Sequence, residues 1–307
     1  LTQTLSTRAP RVVTHPQNVL VLTGATANFT FSATATMPYT NQWRLNGTNV
    51  PGATAPTLAV TNVVPGKDGE YTVLVGNAFG FDISHPARLE IGSRPRLVVE
   101  PVGQIALEGS PVTISVTVDG SLPMSYRWRQ GSRYVHEYTT NSLVGFITFN
   151  SVHITNAGTY TVGVTNILGP ASRLSLPAVL TVLADADRDR MADSWETLHG
   201  FDSENPSDAY LDTDGDGMEN WKEYVAGTLP REAASYLNIN RLTASLSQAT
   251  VTFNAVSNRS YTVQFTDRLG ASWSHLQTIP TRTTNRVVSV IDPAALDPAR
   301  FYRLAIP

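Results

Sequence analysis

Two stretches of the chain are copies of one another, and that repeat limits the fold more than any other feature. Pro16, Gly24, Pro38 and Trp43 recur 85 residues later as Pro101, Gly109, Pro123 and Trp128. Tyr71, Asn77 and Gly80 recur 89 residues later as Tyr160, Asn166 and Gly169, so the second copy has four extra residues between its Trp and its Tyr. A self-match of this kind marks two copies of one domain, over residues 11–91 and 96–183. Each copy carries short alternating runs, NFTFSATA and YTVLVGN in the first, VTISVTV and YTVGVTN in the second, with turn residues between them. Apolar residues at every second position, in many short runs, predict the strands of a β-sandwich.

Each copy resembles an immunoglobulin-like domain of the I-set kind. The family's buried strand Trp corresponds to Trp43 and Trp128, and its corner Tyr to Tyr71 and Tyr160, two residues before the core positions Val73 and Val162. An Asn-x-x-Gly hairpin follows in both copies. The resemblance implies that the usual disulfide is replaced by the apolar pairs Phe31/Val73 and Val116/Val162, because the chain has no cysteine. It also implies a weaker corner loop, with Lys67 and Asn156 where the family has Asp. Tyr39, Tyr126, Tyr134 and Tyr138 are left as aromatic candidates for the surface.

After the second copy the composition changes. Residues 184–232 hold 14 of the 25 acidic residues and 4 of the 22 Lys/Arg, a net charge of −10 in a chain whose total is −3. The acids are patterned. A calcium loop takes oxygen ligands at positions 1, 3, 5, 7, 9 and 12, with a backbone carbonyl at position 7 and Gly at position 6 for a sharp turn. Counted from Asp212, the positions are Asp212, Asp214, Asp216, Met218, Asn220 and Glu223, with Gly217 at position 6. Counted from Asp185, they are Asp185, Asp187, Asp189, Met191, Asp193 and Glu196, with Arg190 in the Gly position. Alternate residues of a tight loop point to one centre, and a hard cation wants six to eight oxygens at about 2.3–2.6 Å. Two Ca²⁺ sites are expected, the first the weaker, because a side chain in a left-handed conformation is strained and Arg190 is a cation. Each loop runs into a short helix ending at Gly200 or Gly227, and no helix pattern precedes either loop. The segment thus resembles the paired calcium motifs of dockerins and thrombospondin type 3 repeats, and most of all the related segments of large bacterial secreted proteins.

Residues 235–307 contain six strand-like runs, LNI, ATVTFNAV, SYTVQFTD, WSHLQTIP, RVVSVID and RFYRLAIP, which predict a small C-terminal β-sandwich. The predicted fold class is therefore mostly β, with tandem β-sandwiches joined by a small calcium-binding loop-helix segment. Residues 1–10 read as a linker, or as a donor strand for the sheet edge of a neighbouring subunit.

The chemistry expected of an enzyme is missing from the sequence. There is no HExxH or other metal-ligand spacing among the six His, no GxSxG elbow, no phosphate loop and no Cys nucleophile. The positive charge outside 184–232 is dispersed, which argues against nucleic acid, and no apolar run approaches the roughly 20 residues of a membrane span. Calcium loops of this exposed kind suit calcium near millimolar, as outside cells, and a chain starting at Leu is consistent with signal-peptide removal. The expectation is a secreted or cell-surface, non-enzymatic structural or adhesive protein, a calcium-stiffened modular rod. Its partners would be further copies of itself in a filament or other surface proteins. Two alternatives stand beside it, the glycan- or protein-binding tail of a secreted hydrolase and a dockerin-like docking module.

Overall fold

A computed structural model describes residues 8–245, 248–293 and 300–306. The chain divides into two compact units, with segments 105–112 and 149–157 and the chain from Thr181 in the second.

The first copy is a sandwich. One sheet runs in the order Val19–Leu22, Ala87–Gly92, Gly69–Asn77, Thr40–Leu45 and Thr48–Asn49, with Gly80–Ile83 paired to Gly69–Asn77. Facing it, Ala27–Thr30 pairs with Thr57–Val60, and Arg11–Thr14 with Ser32–Thr34. The alternation is strict where the core demands it: Tyr71, Val73 and Val75 point inward against Phe29, Trp43 and Leu89. Phe31 stands edge-on to Trp43 with ring centroids 5.6 Å apart. With Val73 it fills the place implied for a disulfide.

The Tyr71 hydroxyl donates to the Lys67 carbonyl at 2.7 Å, closing the corner four residues upstream. The loop read as weak has a tether of its own. The Lys67 ammonium donates to the carbonyls of Thr61 at 2.8 Å and Asn62 at 3.2 Å. Arg8 is tied to its own sandwich by hydrogen bonds with Thr36 and Asn77. The remainder of the suggested donor strand, residues 1–7, lies outside the described residues.

In the second copy, Met124–Gln130 lies between Arg133–Thr140 and Gly158–Asn166. A second sheet has the order Arg96–Val99, Val112–Asp119, Val144–Phe149. Trp128 and Tyr126 are both fully buried. Tyr126 is thus not a surface residue. Met124, Tyr126 and Trp128 share one face of their strand, and the Tyr126 hydroxyl is spent on the Ser142 carbonyl at 2.9 Å. Tyr39 is half-buried against the first core, Tyr138 is half-buried, and Tyr134 stays exposed.

The C-terminal region, in the second unit, has six strands in two sheets among the described residues. Ile239–Ala244, Ala249–Ala255 and Arg286–Asp292 form one, and Ser274–Ile279, Tyr261–Thr266 and Phe301–Ala305 the other. They enclose Val251, Phe253, Tyr261, Val263 and Val290.

Candidate metal centre

The acidic segment folds as two loops built to one plan. In the first, the Asp189 amide donates to Asp187 Oδ1 at 3.2 Å, the Met191 amide to Asp189 Oδ1 at 2.7 Å and the Arg190 amide to Asp185 Oδ2 at 3.3 Å. In the second, the Asp216 amide donates to Asp214 Oδ1 at 3.2 Å, the Met218 amide to Asp216 Oδ1 at 2.7 Å and the Gly217 amide to Asp212 Oδ2 at 3.0 Å. One carboxylate oxygen of Asp187, Asp189, Asp214 and Asp216 is thereby spent on shaping the turn, and both oxygens of Asp185 and Asp212 are, since Asp185 Oδ1 also accepts from the Asp189 amide and Asp212 Oδ1 from the Gly215 amide. The turns lead into helices Asp193–His199 and Asn220–Ala226, each stopped by a left-handed glycine, Gly200 and Gly227.

The opposite oxygens of Asp187, Asp189, Asp214 and Asp216 have no donor. Among the described residues, Asp187 Oδ2, Asp189 Oδ2, both oxygens of Glu196, Asp214 Oδ2, Asp216 Oδ2, Asn220 Oδ1 and Glu223 Oε2 are buried without a hydrogen-bond partner. Asp185, Asp187 and Asp189 bring ligand oxygens within 4.8 Å of one another, and so do Asp212, Asp214 and Asp216. Burial, and then the neighbouring aspartates, pushes Glu196 up to about 8 and Glu223 up to about 7. Asp189 rises to about 6, and Asp185 and Asp187 are also raised, burial again being the main cause. Buried carboxylates lacking both donors and a counter-charge are expensive unless a cation supplies the charge. An all-oxygen set at this spacing fits Ca²⁺ better than a transition metal. The position-7 carbonyls of Met191 and Met218 would complete it.

Two of the predicted ligands also brace the fold. Asp193 turns one oxygen back to the Ala186 amide at 2.8 Å, so it braces the first loop. Asn220 is buried and its amide donates to the Asp208 carbonyl at 2.7 Å. Asp208 is the residue the sequence reading missed. Its carboxylate joins Asp189 and Glu196 in a third cluster, with Oδ1 buried and unpaired. It lies outside both 12-residue registers, four residues before Asp212, and only the fold brings it back to the first loop. Through its backbone it also touches the second loop, so one residue joins both. Asp208→Asn should therefore weaken the first site about tenfold, the lower end for a metal-site support, and calorimetric titration of calcium into the full chain would show one of two sites displaced.

Aromatic packing holds the loops together. The Trp195 ring stacks on Phe201 with centroids 5.6 Å apart and meets Tyr224 edge-on at 5.2 Å. The C-terminal sandwich grips the second helix: Tyr261 donates to the Ala226 carbonyl at 3.1 Å and Arg259 to the Tyr224 carbonyl at 2.7 Å. Gly227 is needed there twice over, for its φ of 79° and because a Cβ would come within 3.0 Å of Val256.

Comparison with known proteins bears on the sandwiches. The immunoglobulin-domain family model matches residues 94–166. The second copy is an immunoglobulin-like domain. Two curated relatives match about half of the chain: human peroxidasin homolog, 26% identical over 171 residues, and mouse hemicentin-1, 28% identical over 177 residues. The matches span 11% and 3% of those proteins' own lengths. Among solved structures, the titin I-band fragment I67-I69 aligns over 98% of both chains at a TM-score of 0.44 and 14% identity. Sidekick-1 immunoglobulin domains 1-4 align over 59% of this chain and 50% of theirs, with a TM-score of 0.43 and 20% identity. No helix among the described residues is long and apolar enough to cross a membrane.

Proposed function

We propose that this is a non-enzymatic, extracellular structural or adhesive protein in which two calcium ions lock residues 184–232 onto the C-terminal sandwich. The observation that carries this reading is the set of buried carboxylate oxygens that no donor satisfies, in two loops with matching hydrogen bonds. A cation-filled segment is stiff. One without its cations has like charges facing each other and little apolar core of its own. Tyr261 and Arg259 pass that stiffness to the sandwich, because their partners are carbonyls of the helix that carries Glu223.

Hydrogen exchange on the full chain tests the reading. Millimolar calcium should slow exchange across 185–228 at least tenfold and leave the first immunoglobulin-like copy unchanged. Exchange indifferent to calcium would refute it.

The stronger form of the proposal is a filament in which residues 1–7 add to a sheet edge of a second copy, as extended peptides do. Negative-stain microscopy in millimolar calcium should then show regular filaments, lost on deleting residues 1–7. Filaments that survive the deletion would overturn strand addition. Dispersed particles of the full chain would overturn the filament and leave calcium locking intact.

A further inference from the structure

The two immunoglobulin-like copies share a frame but differ on one face. In the first copy the strand Gly80–Ile83 pairs with Gly69–Asn77 over four residue pairs, and Leu74, facing Ile83, covers that face. In the second copy the matching strand is only Gly169–Pro170. Proline has no N–H to extend a ladder.

The chain then bulges. Ser84 and Ser175 do the same work, each hydroxyl accepting from the amide of a core Val, Val73 or Val162. Ser84 comes four residues after its hairpin Gly80, but Ser175 comes six after Gly169. The two extra residues carry Arg173 and Leu174 outward. Gly163 stands where the repeat would place Leu74, and with no side chain there Leu174 settles against the strand, its Cδ2 3.1 Å from where a Gly163 Cβ would be.

The result is a groove of about 340 Å³, bounded by Arg127, Arg129 and Arg173, with Gly163 on its floor and Pro170 and Leu174 on its apolar side. That volume is at the small end of ligand sites, which run about 300–1,000 Å³. The guanidiniums are held in place. Arg129 lies over the Tyr134 ring, 4.4 Å from its centroid, and donates to the Tyr134 hydroxyl. Arg127 pairs with Glu137 at 2.7 Å, and Arg173 pairs with Glu100. Arg129 differs from both. It has no carboxylate partner among the described residues, and its Nε is buried without an acceptor. In the first copy the matching positions are already used, Gln42 by the Val50 carbonyl and Arg44 by Asn49.

We propose that this groove binds a carboxylate- or sulfate-bearing sugar of an acidic polysaccharide, with Arg129 as the anion contact. A planar guanidinium matches either oxyanion in two-point geometry. The apolar side suits the C–H face of a sugar ring, and Glu137 is placed to accept from hydroxyls. An acidic peptide fits less well, because the strand Met124–Gln130 that carries Arg127 and Arg129 is paired on both sides and has no free backbone edge of its own. The inference does not depend on calcium.

Calorimetric titration of the full chain with heparin, polygalacturonate, neutral dextran and poly-aspartate is the test. Saturable binding of heparin would identify a sulfate-bearing sugar, and of polygalacturonate a uronate. Either should weaken at least tenfold in Arg129→Gln, and likewise in Gly163→Leu, which rebuilds the first copy's covered face. Arg133→Gln, which removes the same charge outside the groove, should stay within twofold of the parent. No binding of either polysaccharide would overturn the proposal. So would binding of poly-aspartate alone, equal binding of dextran, or equal losses in the Arg133 and Arg129 variants.

Discussion

Chelating calcium from the full chain at pH 8 should lower the melting temperature of the second unit by roughly 10–20 °C, and the same treatment at pH 5 should lower it far less. The size follows from linkage. Calcium at 100 times its dissociation constant adds about 2.7 kcal/mol per site, so two sites add about 5 kcal/mol. A unit of this size moves about 2–4 °C per kcal/mol. The pH dependence follows from the buried carboxylates. Without metal, Glu196 holds its proton to about pH 8 and Glu223 to about pH 7, whereas an unfolded Glu loses it near pH 4.3. In that window folding takes up protons, so the metal-free fold loses stability as pH rises from about 4 to 8. Calcium binding requires the same groups ionised, so calcium affinity falls as pH drops through the window. The two trends open the gap at pH 8 and close it at pH 5. Scanning calorimetry at both values, with and without chelator, decides the matter. A gap of equal size at the two pH values would mean that these carboxylates do not hold the ion.

The features legible in the sequence are those that repeat at short, fixed spacing. Trp43, Trp128, Tyr71 and Tyr160 could be placed because large aromatics at matching offsets must fill matching cores, and all four are buried. The aspartates could be placed because a loop that presents alternate residues to one point leaves a spacing that survives without coordinates. What was not legible depends on residues brought together by the fold, or on side chains that are missing. Asp208 reaches Asp189 and Glu196 only because the turn at 202–208 brings it back, its carboxylate accepting from the Asp202 amide at 3.0 Å. Tyr126 was readable in principle, since Trp128 two residues on sets the inward phase of that strand. The arginine groove owes its depth to Gly163 and to a two-residue bulge, and an empty position gives no sequence signal until the two copies are superposed.

Replacing Arg188 and Arg190 together by Gly should tighten the first calcium site by about tenfold. The reason is visible in the second loop. Positions 4 and 6 there are Gly215 and Gly217, with φ of 80° and 95°. The first loop adopts the same left-handed backbone at Arg188 and Arg190, with φ of 66° and 83°. The sequence marked only Arg190 as a misfit, since position 4 carries no rule in the ligand pattern. Such a conformation costs an L-residue about 1–2 kcal/mol, and the greater freedom of glycine in the unordered loop returns about 0.4–1 kcal/mol of that. Two substitutions leave roughly 1–2 kcal/mol, and each 1.4 kcal/mol is a factor of ten. The strain counts toward calcium affinity only if the loop is unordered without the ion, so this result also depends on the chelation experiment. Titration in a Glu223→Gln background, which silences the second loop, isolates the effect. Unchanged affinity would mean that the first loop keeps its left-handed turns without metal. Alanine at both positions separates the two causes, because it removes the cations and keeps the strain. A double-alanine variant that matches double glycine would assign the weakness of the first loop to charge, and one that matches the parent would assign it to the backbone.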